Sequence, residues 1–162
     1  MAKAEKTNAM RQFERKKLPY ETHSYEGVIS GTDVAQTLGQ DPRWVFKTLV
    51  TVGKSGEHYV FMIPVAQELD LKKGAKAVGE KSIAMLPQKE LLPLTGYIHG
   101  GCSPVGMKKQ FPTVLHESAL EFPQIFFSGG KIGLQIQADP RDLEKLIPLS
   151  IASVIAEGEK EK

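Results

Sequence analysis

The chain has one cysteine, Cys102, and one tryptophan, Trp44. A single thiol cannot build an internal disulfide framework, and it cannot anchor a structural zinc site of several thiolates. Such sparing use of cysteine fits a reducing, cytoplasmic setting. Long apolar runs are also missing. No stretch approaches the ~20 residues that a membrane helix needs, and the opening "MAKAEKTNAMRQFERKK" lacks the apolar segment of a secretory signal. A soluble protein with no membrane partner is expected. Charge of one sign is scarce too: 21 basic residues face 19 acidic ones, a net of +2, which excludes wholesale electrostatic attachment to a nucleic-acid duplex. The phosphate cradles GxGxxG and GxxxxGK[ST] do not occur. The four histidines, at 23, 58, 99 and 116, form no HxxxH pair. No cofactor and no metal are therefore expected.

What is present reads as one domain over residues 1–156, long enough to bury a core unaided, followed by a polar tail, "EGEKEK", expected to be disordered. The spacing predicts a helix over 3–17, stopped by Pro19, then a short strand in "YETHSYE". A second helix, "DVAQTLG", is capped by Thr32 or Asp33 and closed by Gly39. Asp41 and Pro42 open one helical turn that runs into a strand with Lys47 near the junction. "GKSGE" is a hairpin turn and "HYVFMIPV" the returning strand. A lysine-faced helix over 69–79, a strand in "KSIAML" and a helix from Pro87 follow. Then come a glycine loop, three strands in "PTVLHES", "QIFFS" and "IGLQIQA", and a last helix, "PRDLEKLIPL". Helices and strands mix without a βαβ rhythm, so the fold class is α+β, a single domain with a mixed sheet.

Few residues carry candidate chemistry. Cys102 with His99 could form a nucleophile and base, but no third orienting group is identifiable, and lone cysteines commonly serve as small buried hydrophobes. Two glycine pairs, Gly100-Gly101 and Gly129-Gly130, let the backbone approach a ligand and aim N–H groups at an anion or oxyanion. Taken singly, each also fits a tight turn. Lys47 stands inside the apolar "WVFKTLVTV", where a charge is costly unless it faces a cleft or snorkels at an edge. Lys72, Lys73, Lys76, Lys108 and Lys109 form basic clusters. These are either solvated surface or a rim for a few phosphates.

Four stretches taken together, "FKTLV" at 46–50, "LDLKKGAKAVG" at 69–79, "TGYIHGGCSPVGMKK" at 95–109 and "FFSGGK" at 126–131, resemble the YbaK family of aminoacyl-tRNA deacylases. That family is related to the editing domain of bacterial prolyl-tRNA synthetases. The resemblance implies a curled mixed sheet flanked by helices and the removal of mischarged amino acids from tRNA. A proline pocket cannot strongly reject smaller isosteres, so a second site must clear the error. It further implies that Lys47, Gly100 and Gly101 act in catalysis, with Lys47 as a point charge near the terminal phosphate or sugar. Tyr25, Ser30, Ser103, Pro104, Ser128 and Gly129 are implied to bind substrate, with Gly130 completing the SGG turn. The implied partners are the aminoacylated tRNA 3′ end and a prolyl-tRNA synthetase that supplies tRNA selectivity. Release of cysteine from Cys-tRNA(Pro), by attack of the substrate's own thiol, is the activity implied first. Hydrolysis of Ala-tRNA(Pro), or a non-catalytic module that binds tRNA ends, are the alternatives. On these implications Cys102 is a bystander.

Overall fold

The computed structural model describes residues 6–25 and 38–156. Helix α1 (Asn8–Arg15) starts where Thr7 caps it, and it buries Ala9 and Phe13, four residues apart on one face. Strand β1 (Glu21–Ser24) follows. Asp41 caps a 3₁₀ turn at Pro42–Trp44, which leads into β2 (Phe46–Gly53). β2 forms a hairpin with β3 (His58–Pro64), whose turn uses Gly56 at φ +95°. Asp70 caps α2 (Leu71–Val78), and Gly79 ends it in the left-handed region, φ +77°. After β4 (Ile83–Met85), the segment from Pro87 is a 3₁₀ turn at Gln88–Glu90 and a short α3 (Leu91–Thr95). The remaining strands are β5 (Thr113–His116), β6 (Ile125–Ser128), β7 (Leu134–Ala138) and β8 (Leu149–Ala152).

The strands make two sheets. Five strands run in the order β4-β2-β3-β5-β8, with the β3–β5 and β5–β8 pairs parallel and the β4–β2 and β2–β3 pairs antiparallel. Three more, β1-β7-β6, are wholly antiparallel. A parallel bridge between Val45 and Phe126 joins the sheets at one edge, so the assembly curls without closing. Residues from both sheets, Phe46, Met62, Leu115, Ile125, Phe127 and Ile136, share one buried cluster with Phe13 of α1. Behind the larger sheet, Phe61, Ile63 and Val114 pack with Ala75 of α2. Both faces of β3 are therefore covered, which explains its unbroken apolar run.

The expected α+β domain with a mixed sheet is the fold observed. One expectation is corrected. The last helix, "PRDLEKLIPL", is only a 3₁₀ segment at Pro140–Lys145, and β8 follows it. Pro148 cannot donate within a continuing helix, and the carbonyl of Pro148 accepts from Thr113 N–H as the chain enters the sheet. The expected helix "DVAQTLG", apart from its last residues, and the tail lie outside the described residues.

Candidate active site

A cleft of about 900 Å³ opens between the start of β2 and the β6–β7 ribbon. One wall is β2 from Val45 to Val50, including Lys47 and Thr48. Another is Phe127, Ser128, Ile132, Leu134 and Gln135, with Tyr25 beside them. Leu86 and Leu91 supply an apolar end, and His99, Gly100 and Cys102 of the glycine loop form the rim. The cleft thus draws on segments far apart in sequence, which the curl of the two sheets brings together.

Lys47 is half-buried on β2, opposite Ile63. Among the described residues none forms an ion pair or hydrogen bond with its ammonium, and Lys47 lines the cleft. Tyr25 follows β1, held by its N–H donating to Gly133 O at 3.0 Å. The Ser128 hydroxyl accepts from Gly130 N–H at 3.2 Å, which shapes the SGG turn while Ser128 lines the cleft.

The glycine loop divides its work. Gly100, exposed and at φ +89°, lines the cleft, and no described group accepts from its N–H. Gly101 is buried behind it, and its N–H donates to Ile98 O at 2.9 Å. A Cβ on Gly101 would stand 2.8 Å from Ile132 N and 2.9 Å from Lys131 Cα. That close approach lets the glycine loop pack directly on the chain just after the SGG turn. Gly101 therefore serves the loop's packing, and its N–H is already engaged. Ser103 is fully buried, its Oγ accepting from Val105 N–H at 3.3 Å. Pro104 O accepts from Gln110 Nε2 at 3.1 Å. Gly129 is buried, with its N–H on Leu134 O. The structure thus brings Tyr25, Lys47, Gly100 and Ser128 to one cleft, and places Gly101, Ser103, Pro104 and Gly129 in the wall behind it. Ser30 lies outside the described residues.

Cys102 stands among Val50, Leu91, Tyr97, Met107 and Phe111. Burial pushes its thiol up to about 12, against a smaller opposing effect from a hydrogen bond with Thr95. Such a thiol is protonated at neutral pH and poorly nucleophilic. Among the described residues no three potential metal ligands gather, and no helix is long and apolar enough to cross a membrane. Of the basic clusters, Lys108 Nζ donates to Pro93 O at 3.4 Å and Lys109 lies 5.8 Å from the Phe111 ring centre.

Two cleft residues escaped the sequence reading. Gln135, nearly fully buried on β7, exchanges two amide hydrogen bonds with Gln40, at 2.8 and 3.1 Å. Thr48 buries a hydroxyl with no partner among the described residues. Thr48 was visible as the residue after Lys47, but strand alternation alone assigns it no role. Gln135 carried no local signal.

Residues 26–146 match the model of the aminoacyl-tRNA editing domain. A protein of Enterococcus faecalis, EbsC, named as a Cys-tRNA(Pro)/Cys-tRNA(Cys) deacylase, is 50% identical over 145 residues, 88% of each chain. The crystal structure of a protein named as a trans-editing enzyme for prolyl tRNA synthetase superposes with a TM-score of 0.81 at 26% identity, covering 92% of this chain and 95% of that one. The hypothetical protein APE2540 shares the fold, with a TM-score of 0.84 at 21% identity over 92% of this chain and 99% of its own. A match this long, joined to a relative of half-identical sequence and almost equal extent, settles the lineage: the chain belongs to the aminoacyl-tRNA editing domain family.

Proposed function

We propose that the chain is a trans-acting aminoacyl-tRNA deacylase that releases cysteine from Cys-tRNA(Pro) and Cys-tRNA(Cys), with residues 1–156 as the functional unit. The observation that carries this reading is the chemistry of the cleft. Among the described residues it offers a lysine with no ion-pair partner and a backbone N–H with no acceptor, yet no lining carboxylate, and its one thiol is held protonated by burial. An aminoacyl ester is already activated, so positioning and oxyanion stabilisation supply most of what cleavage requires. The N–H of Gly100, without an acceptor among the described residues, is the donor suited to the carbonyl oxygen. Lys47 suits the terminal phosphate or ribose as a point charge.

The attacking group in this reading is the substrate thiol. Its sulfur bonds to the ester carbonyl carbon, the bond from that carbon to the ribose oxygen breaks, and the thiol proton ends on the ribose oxygen. The product is a thiolactone, one water lighter than cysteine, so the protein needs no general base of its own. A prolyl-tRNA synthetase is the proposed partner in tRNA selection, and the cytoplasm the proposed compartment.

The test is a deacylation panel of Cys-, Ser- and Ala-charged tRNA(Pro) with Cys-tRNA(Cys), and mass analysis of the product. Rapid turnover of both cysteinyl substrates, slow turnover of the seryl and alanyl ones, and a thiolactone are expected. Equal turnover of alanyl and cysteinyl esters would overturn thiol attack in favour of water. Lys47→Ala should lower kcat/KM by ~10–100-fold, the loss expected for one charged hydrogen bond. An unchanged value removes Lys47 from the site.

A further inference from the structure

The start of α1 reaches both glycine segments of the cleft wall without touching the cleft itself. The Thr7 hydroxyl accepts from Met10 N–H at 3.2 Å, which is its capping bond, and donates to Gly129 O at 2.6 Å. The next residue, Asn8, donates from Nδ2 to Gly106 O at 2.6 Å. One helix end thus ties the SGG turn, 122 positions away, to the far end of the glycine loop, 98 positions away.

The same point is packed to backbone contact. A Cβ on Gly130 would stand 3.1 Å from both Thr7 and the Tyr97 ring. One on Gly106 would stand 2.8 Å from the Tyr97 hydroxyl and 3.0 Å from Ala9 N. The Tyr97 hydroxyl donates to Val105 O at 2.7 Å and closes the loop from inside. The two segments meet a second time at the cleft, where Gly101 lies on Lys131 and Ile132. Two separate contacts fix two loops relative to each other far better than one.

We infer that Thr7 and Asn8 are positioning residues, holding the glycine loop and the SGG turn in register so that Gly100 and Ser128 face one bound ester. Capping uses only the acceptor half of the Thr7 hydroxyl. Its donor half, and the whole Asn8 amide, go to the two loops. The helix does not need these bonds to stay in place, because Ala9 and Phe13 are fully buried in the main cluster. Loss of the donors therefore moves the loops and leaves α1 docked. A displacement of about an ångström in such a site can cost up to ~10²-fold in rate.

This inference rests on the deacylase reading, and the experiment separates the two. Thr7→Asp keeps a capping acceptor and loses the donor; Thr7→Asn keeps both in nearly the same shape. Assayed on Cys-tRNA(Pro), Thr7→Asp should lose ~10-fold or more in kcat with little change in KM, while Thr7→Asn and Thr7→Ser stay near the parent rate. A merely structural cap predicts equal kcat for Asp and Asn, and that equality would overturn the proposal. Amide NMR shifts give a readout independent of turnover. Residues 100–103 and 129–132 should move together in Thr7→Asp and remain in Thr7→Asn, and unmoved loops in both would also refute it. Should Thr7→Asp not fold, Asn8→Ala, an exposed substitution, must move the same loop amides and lower kcat. Absence of turnover by the unmodified chain sinks the deacylase reading alone and leaves the shift comparison to decide the clamp.

Discussion

Cys102 shows how burial overrides reactivity. The residue lines the cleft and has a histidine three positions before it, the raw material of a thiol enzyme. Its surroundings are largely apolar, and burial pushes the thiol up to about 12. A thiol held that far above neutrality stays protonated, a poor basis for nucleophilic catalysis. Cys102→Ala should therefore retain turnover of Cys-tRNA(Pro), at a stability cost on the order of 1 kcal/mol for the lost packing. A rate loss of ~10²-fold or more in a folded variant would return the thiol to the mechanism. The contrast with Lys47 is instructive, since that residue is less buried and its ammonium has no partner among the described residues.

At the scale of elements, the glycine loop matters more as a packed object than as a string of donors. Gly100 and Gly101 are adjacent but constrained differently. Alanine at Gly100 meets only the Ile132 side chain, at 3.5 Å, and bears the strain of φ +89°; alanine at Gly101 meets backbone atoms of Lys131 and Ile132 below 3.0 Å. A side chain can swing aside, and backbone cannot without moving the SGG turn. Gly101→Ala should cost ~1–3 kcal/mol in urea unfolding and lower deacylation, with Gly100→Ala the milder of the two in stability. The reverse order would show that the loops do not depend on this contact. Most elements were legible because local chemistry dictated them: Asp70 and Gly79 bracket α2, Asp41-Pro42 opens the turn before β2, and the 53–57 turn makes the β2–β3 hairpin. β8 was not legible, since "LSIA" is too short for its alternation to mark a strand and it becomes one by pairing with β5. Of the residues that line the cleft, Lys47 and Gly100 stood out in the sequence. The sequence could not reveal that Gly101, Ser103 and Gly129 stand one layer back, because that distinction belongs to the packing of loops remote in sequence.

For the whole molecule, the C-terminal strand β8 and the chain after it fasten the larger sheet to α2, and one buried histidine sits at the joint. His116 ends β5, and its Nδ1 accepts from Val154 N–H at 3.2 Å. Val154 is fully buried among Phe61, Ile63 and Ala75, and its carbonyl accepts from Asp70 N–H at 2.8 Å at the start of α2. Ala156 N–H and Ile155 O extend the strap to Glu68 O and Lys73 Nζ. Burial lowers the His116 pKa first, Lys73 lowers it further, and Glu117 and Glu121 act in the opposite direction. A protonated imidazole has no acceptor left for Val154. The unfolded chain binds the proton near the ordinary value of about 6.5, whereas the folded chain binds it only at lower pH. Stability from this group is therefore complete above that range and falls as the solution is acidified through it. His116→Asn places an amide oxygen where Nδ1 accepts and cannot titrate. Urea midpoints measured between about pH 7 and 5.5, above the ordinary carboxylate range, should decline in the parent and decline less in His116→Asn. Equal slopes would mean that the strap does not depend on a neutral His116, and that the acid sensitivity of the fold lies elsewhere.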